Sequence, residues 1–197
     1  MKLPQLTDTE IWSKFKEGDD DALSLIYSEN SGKLYLYGLK ITTNHSIIED
    51  SIQNLFSDLV RNRKQLGDTD NVQFYLLKSF KRKLIRELQK EKKHDLSNPA
   101  EDYMFEITYS VEHEIILEEK STAKLFLLNR ALKELTPRQK EAIYLKFTEE
   151  LEYVEIAEML EMSIEACRNL IYRGIKSLKD SFKENKSLIL FFLRKKR

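Results

Sequence analysis

The chain of 197 residues contains little glycine and almost no cysteine, with 5 residues of the first and 1 of the second. Scarce glycine together with 34% charged residues favours an all-α fold. The single cysteine, Cys167, excludes an intramolecular disulfide and a cysteine-based zinc site. We expect it to be a small core residue of a protein from a reducing compartment.

The sequence also lacks a long apolar run, since the longest late one, Leu188–Leu193, is far too short to span a bilayer. The N-terminus has no apolar segment of the kind found in signal peptides. His45, His94 and His113 are dispersed, and no glycine-rich phosphate loop or nucleophile motif occurs. We therefore expect a cytoplasmic binding protein, not an enzyme, with no catalytic residue, cofactor, metal or small-molecule substrate.

The charges, which sum to zero, are segregated along the chain. Residues 71–93 carry 8 basic and 2 acidic side chains, whereas residues 94–120 carry 1 basic and 8 acidic ones. The basic segment has a helical apolar stripe, so its cations favour phosphate contacts, with an anionic lipid surface as the less favoured alternative. The acidic segment has no sustained period and contains Asn98–Pro99, which predicts a linker outside both cores.

Apolar residues at helical spacing predict four N-terminal helices, at 8–17, 20–42, 46–66 and 71–93. The predicted organisation is therefore two small helical domains joined by an acidic linker. The chain is predicted to consist of a four-helix domain at 1–93, the linker at 94–120, a second domain at 121–182 and an apolar, basic tail at 183–197. The tail could pack on the second domain, bind an inhibitory partner or touch a membrane.

Residues 135–179 have the pattern of a helix-turn-helix with a supporting helix before it. Thr136 is a suitable cap, and Pro137 suits the first helical position, where a missing N–H costs nothing. The next helix is short, and its inner side is predicted to carry Val154, Ile156, Ala157 and Leu160. The chain then turns at 161–162, and Ser163 can cap the last helix. Such a unit places its second helix in the major groove of DNA.

This last helix has one apolar face and one polar face. The residues predicted to be buried are Ile164, Cys167, Ile171, Ile175 and Leu178. The residues predicted to face DNA are Glu165, Ala166, Arg168, Asn169, Arg173 and Lys176. Arginine and asparagine can make paired hydrogen bonds to base edges, whereas the last two cations suit phosphates. The alternative interpretation is that these side chains only form the solvated face of an ordinary helical bundle.

The segment Ile48–Leu59 is similar to the Glu-Asp-x-x-Gln-x-x-Phe motif of the sigma-70 family of RNA polymerase initiation factors. Nearly the whole chain resembles the small extracytoplasmic-function group of this family, which retains only two domains, called sigma-2 and sigma-4. The resemblance implies that the motif contacts the clamp helices of the polymerase's largest subunit. The implied polymerase-binding residues are Glu49, Asp50, Gln53, Asn54 and Phe56, of which Asn54 replaces the usual glutamate.

The segment Tyr75–Lys90 resembles the helix with which these factors melt and recognise the minus-10 promoter element. The DNA-contacting residues that this implies are Lys78, Lys81, Arg82, Lys83 and Arg86. The loop at 65–70 corresponds in position to the family's pocket for an extruded minus-10 base. The helix-turn-helix resembles the minus-35 reader, with Arg138 as a supporting backbone contact and Glu161 where glycine is common in the turn.

The resemblance implies a transcription initiation factor that binds core RNA polymerase and promoter DNA, both duplex and single-stranded. An anti-sigma factor is a possible further partner. Two other readings stay open: a dimeric helix-turn-helix regulator with an N-terminal sensor or dimerisation domain, and an adaptor that binds protein without DNA.

Overall fold

A computed structural model of the chain describes residues 6–92, 104–107 and 129–181. The chain divides into two compact units, Met1–Met104 and Phe105–Arg197. Helices and connecting loops make up the described residues, without a strand among them, so the predicted all-α class is confirmed. No helix in these ranges is both long enough and apolar enough to cross a membrane. The tail at 183–197 and most of the predicted linker fall outside the described residues.

The N-terminal unit contains four α-helices: α1 (Asp8–Glu17), α2 (Asp20–Gly38), α3 (His45–Asn62) and α4 (Val72–Lys92). A turn of 3-10 helix, Arg63–Gln65, follows α3. The helices begin where the local chemistry predicts, because side-chain oxygens accept hydrogen bonds from otherwise unpaired N–H groups of the first turns. Thr7 does so in a capping box with Glu10, and Asp19 and Asn44 cap α2 and α3.

Two of the four N-terminal helices end earlier than predicted. Helix α2 ends at Gly38, four residues before the predicted Thr42, and α3 gives way to the 3-10 turn before residue 66. A β-carbon on Gly38 would lie 2.9 Å from Ile48 of α3 and 3.2 Å from Phe80 of α4. Gly38 thus lets α2 approach both neighbouring helices closely.

The core of the N-terminal unit lies between α4 and the other helices, which all pack on it. Its largest fully buried side chains are Trp12, Phe15, Leu34, Tyr37, Ile48, Leu76, Leu77, Phe80 and Leu84. Lys81, predicted to lie on the basic side of α4, is only 8% exposed, so that prediction was wrong. It follows Phe80 directly, and α4 is covered by α2 and α3 together, so its buried sector is wider than a single stripe.

The C-terminal unit contains a helical segment at 129–133 and three further helices: α5 (Pro137–Phe147), α6 (Tyr153–Met159) and α7 (Ile164–Ser181). The predicted cap at Thr136 is confirmed, and it forms a capping box with Gln139. Helices α5 and α6 both pack on α7. A β-carbon on Gly174 would lie 2.7 Å from Ile143 Cδ1, so α5 and α7 approach closely at this point.

Three apolar residues of this unit are less buried than predicted, and one of them, Ile175, is half-buried. Val154 is 55% exposed and Ile164 is 42% exposed. Val154 precedes the fully buried Ile156 by two positions, which places it on the opposite side of α6. Ile164 begins α7, and the two residues that follow it, Glu165 and Ala166, are exposed as well.

The short segment 104–107 belongs partly to the C-terminal core, although the sequence predicts a linker there. Phe105 is fully buried and its ring centroid lies 5.7 Å from that of Tyr144 in an edge-to-face arrangement. Lys140, also buried, donates hydrogen bonds to both carboxylate oxygens of Glu106, at 3.0 and 2.8 Å. For these residues the linker prediction was wrong, because a contact 34 positions along the chain leaves no local periodic pattern.

Candidate functional site

Helix α7 presents the predicted DNA-facing residues on one exposed surface. Glu165, Ala166, Arg168, Asn169, Arg173 and Lys176 are all exposed, while Cys167, Ile171, Gly174 and Leu178 are buried. Burial raises the pKa of the Cys167 thiol, which keeps it neutral in the core. The arrangement leaves one face of α7 free to meet a partner, and base reading by its residues stays a prediction.

The turn between α6 and α7 has the backbone conformation that glycine favours. Glu161 has a φ of 52°, and the N–H of Met162 donates to the carbonyl of Ala157 at 3.0 Å. The Ser163 hydroxyl accepts a hydrogen bond from the N–H of Ala166 at 3.1 Å, as predicted for the cap of α7. A short helix, a tight turn and a capped second helix constitute a helix-turn-helix.

Sequence reasoning missed Tyr172, which is 65% exposed on α7. It lies four positions after Arg168 and four before Lys176, so the three residues follow one another along the same side of the helix. The helical period could have revealed it, because Tyr172 falls between two residues already assigned to that face. Arg138, the predicted backbone contact, is exposed at the second position of α5.

A groove on the N-terminal unit runs between α2 and α3 and includes three of the five predicted polymerase-binding residues. Glu49, Gln53 and Phe56 line it. Asp50 and Asn54 are exposed on the same helix outside the lining. The remaining lining residues are Leu23, Ser24, Tyr27, Ser31, Gly32, Tyr35, Ile52, Ser57 and Val60.

The walls of this groove expose apolar surface that the sequence analysis did not assign to it. Tyr27 is 50% exposed and Val60 is 40% exposed, and the Tyr27 ring meets that of Phe56 edge to face at 4.8 Å. Exposed apolar surface rimmed by polar side chains is typical of a protein-binding site.

The basic residues of α4 do not form one uniform DNA-facing surface. Arg82 and Arg86 are exposed. Lys83 is instead paired with Asp58 of α3 at 2.5 Å, and its side chain is 21% exposed. Lys78 lies 5.8 Å from the centre of the Phe74 ring. Among the five predicted minus-10 contacts, the two arginines are therefore the most accessible.

The loop that precedes α4 is fastened to α1. The indole Nε1–H of Trp12 donates to the carbonyl oxygen of Gly67 at 2.8 Å, and Lys16 pairs with Asp68 at 2.6 Å. The N–H of Val72 donates to the Asp8 carboxylate at 2.8 Å. These bonds hold the predicted base-accepting loop in one place, although its role as a pocket stays a prediction.

No cluster of His, Cys, Asp or Glu able to hold a metal ion occurs in the described ranges.

Residues 125–178 match the family model of sigma-70, region 4. The fold is similar to that of the sigma factor RpoE from Bartonella quintana, solved in complex with the anti-sigma factor NepR, at 15% identity and a TM-score of 0.56. That match covers 85% of this chain and 98% of the other. CnrH, solved in complex with the cytosolic domain of CnrY, is similar at 15% identity and a TM-score of 0.56, covering 91% and 99% of the two chains.

No significant match to a curated protein was found. The two solved structures establish the fold, and the family model assigns the helix-turn-helix to sigma-70 region 4. The resemblance to the sigma-70 family, predicted from the sequence, is thereby confirmed. Region 4 of the sigma-70 factors, to which the family model assigns residues 125–178, is thus present in this chain.

Proposed function

We propose that the protein binds core RNA polymerase through the groove between α2 and α3 and directs the enzyme to promoters. Helix α7 would read the minus-35 element in duplex DNA, and α4 with its preceding loop would open and read the minus-10 element. The protein would act in the cytoplasm, without catalysis of its own. One observation carries the polymerase contact: Glu49, Gln53 and Phe56 line a partly apolar groove.

The groove has the properties of a docking site for a helical partner. Its walls combine the exposed parts of Tyr27 and Val60 with polar atoms of Gln53 and Glu49, so apolar burial can supply affinity while the polar groups set the register. A groove between two packed helices also suits the apolar face of a further helix.

The DNA contacts are proposed on exposure and chemistry. Arg168 and Asn169 are exposed near the start of α7, where recognition helices meet base edges, and Arg173 and Lys176 lie further along, where phosphates are reached. On α4, Arg82 and Arg86 would attract the opened strand, since phosphate contacts depend on accessible cations. An inhibitory protein of the anti-sigma class, like the partner named with the B. quintana factor, is a further proposed partner.

The first test is transcription in vitro with core RNA polymerase from the source bacterium, with and without the protein, on a library of genomic fragments. New start sites that share two upstream elements would support the proposal. Absence of new starts, with binding of duplex DNA as a dimer, would instead support the helix-turn-helix regulator.

The groove is tested separately by co-purification of core polymerase with the double variant Gln53→Ala, Val60→Asp. Placing a carboxylate in an apolar interface leaves it desolvated without a partner, so we expect at least a tenfold loss of binding. Leu25→Asp is the matched control, because Leu25 has similar exposure, 37% against 40%, and lies outside the groove lining. Equal binding by the double variant and the control would refute the groove assignment.

A further inference from the structure

Two cationic side chains share the ring of Tyr153, the first residue of α6. The ammonium nitrogen of Lys146 lies 4.9 Å from the ring centre, and the central guanidinium carbon of Arg168 lies 5.6 Å from it. Both distances are within the roughly 6 Å over which a cation is attracted to an aromatic face. The three residues come from α5, α6 and α7, so the ring joins all three helices of the helix-turn-helix unit.

The Lys146 side of this arrangement is held firmly. The side chain is only 20% exposed, and its ammonium group donates a hydrogen bond to the carbonyl oxygen of Leu151 at 3.0 Å. It also pairs with Glu152 at 3.6 Å, directly before Tyr153 in the chain. The loop between α5 and α6 therefore restrains Lys146, and Lys146 in turn restrains the ring.

Arg168 is the exposed member of the group. It lies at the fifth position of α7, on the face assigned to base reading, and its long side chain would otherwise sample many rotamers. Contact with a restrained aromatic ring limits those rotamers before DNA arrives. A side chain that is already oriented loses less freedom when it binds, which favours binding in that one geometry.

We propose that Tyr153 is a positioning residue for DNA recognition, which holds the guanidinium of Arg168 in the orientation used to read a base. Tyr153 acts through Arg168 and does not need to touch DNA. The inference rests on the proposed function, in which Arg168 contacts a base edge. It goes further by assigning part of the sequence specificity to a residue outside the recognition helix.

The test uses the full chain and a duplex that the wild-type protein selects from a random library. Affinities are measured for this duplex, for each of its single base-pair substitutions and for an unrelated duplex. The variants are Tyr153→Leu, Tyr153→Gln, Tyr153→Phe, Arg168→Ala and the double variant Tyr153→Leu, Arg168→Ala. Tyr153→Phe is the matched control, because it keeps the ring and removes only the hydroxyl group.

Loss of the ring is expected to weaken binding to the selected duplex about 2- to 10-fold, the range that corresponds to the freedom lost when one long side chain is immobilised on binding. The loss of discrimination should be confined to the base pairs at which Arg168→Ala also loses it. Tyr153→Phe should behave as the wild type, and the double variant should bind no worse than Arg168→Ala alone. Affinity for the unrelated duplex should not change.

Independent, multiplying losses in the double variant would overturn the inference, as would equal weakening on every duplex. Tyr153→Gln also removes the ring but replaces it with a different side chain, so an effect shared by both variants is not a packing defect peculiar to leucine. Circular dichroism establishes that both variants are folded at the assay temperature. If Arg168→Ala loses discrimination and neither ring variant does, the inference alone fails. If Arg168→Ala keeps full discrimination, the base-reading assignment in the proposed function fails first, and the inference fails with it.

Discussion

Replacing Phe105 with alanine should destabilise the C-terminal unit alone. The side chain is fully buried, and its ring packs edge to face on Tyr144 of α5. Removing a buried phenylalanine ring costs the transfer free energy of the ring and that of the cavity left behind, about 3 to 5 kcal/mol in well-packed cores. We expect a value near the lower end of this range, about 3 kcal/mol.

The chain offers a probe that separates the two units. Its single tryptophan, Trp12, is buried in the N-terminal unit, so tryptophan fluorescence follows that unit, while far-ultraviolet circular dichroism follows the helices of both. In urea titrations, Phe105→Ala should move part of the circular dichroism transition to lower urea and leave the fluorescence transition in place. Met104→Ala is the control, because Met104 is 63% exposed and its truncation should change the free energy of unfolding by less than about 0.5 kcal/mol.

Two results would refute this reasoning. Indistinguishable curves for Phe105→Ala and Met104→Ala would mean that Phe105 does not pack on the C-terminal unit in solution. An equal shift of the fluorescence transition would mean that the two units unfold together and that the effect cannot be assigned to one of them.

Two further predictions concern helix packing. Hydrogen bonding to Lys83 holds the pKa of the Asp58 carboxyl below its ordinary value of 3.8. The contact therefore stabilises the fold above that pH, and its contribution is lost as the pH falls through the lowered pKa. In acid titrations followed by circular dichroism, Asp58→Asn should show a smaller decline of stability below about pH 3.8 than the wild type. Gly174→Ala should destabilise the C-terminal unit by about 1 to 3 kcal/mol, because the added β-carbon would lie 2.7 Å from Ile143. Gly32→Ala in α2 is the comparison: its β-carbon would meet nothing within 4 Å, so it should stabilise the N-terminal unit by about 0.5 to 1 kcal/mol. Thermal melts of the two glycine variants compare them directly, and a shift in the same direction would contradict the steric argument.

Local chemistry made most helices predictable. The cap at Thr136, Pro137 in the next position and the predicted span of α1 agree with the structure, because each depends on groups within one helical turn of one another. The separation of α7 into a buried and an exposed face was predicted for the same reason, with the exposed Ile164 and the half-buried Ile175 as exceptions.

The basic helix α4 shows where this kind of prediction ends. A run of cations reads as one charged face, yet Lys81 is buried and Lys83 is paired with Asp58, 25 positions earlier in the chain. Which cations remain accessible depends on how α3 crosses α4, and a crossing is set by side chains of both helices together.

Helical period and capping are local properties, and they were sufficient to predict the all-helical class, the helix-turn-helix and the residues on the outer face of α7. Helix packing, in contrast, leaves Tyr27 and Val60 partly uncovered beside Gln53, buries Phe105 in the C-terminal unit and places Tyr153 against Arg168. Each of these depends on contacts between residues far apart in the chain, whose positions are set by helix packing and leave no periodic pattern in the sequence.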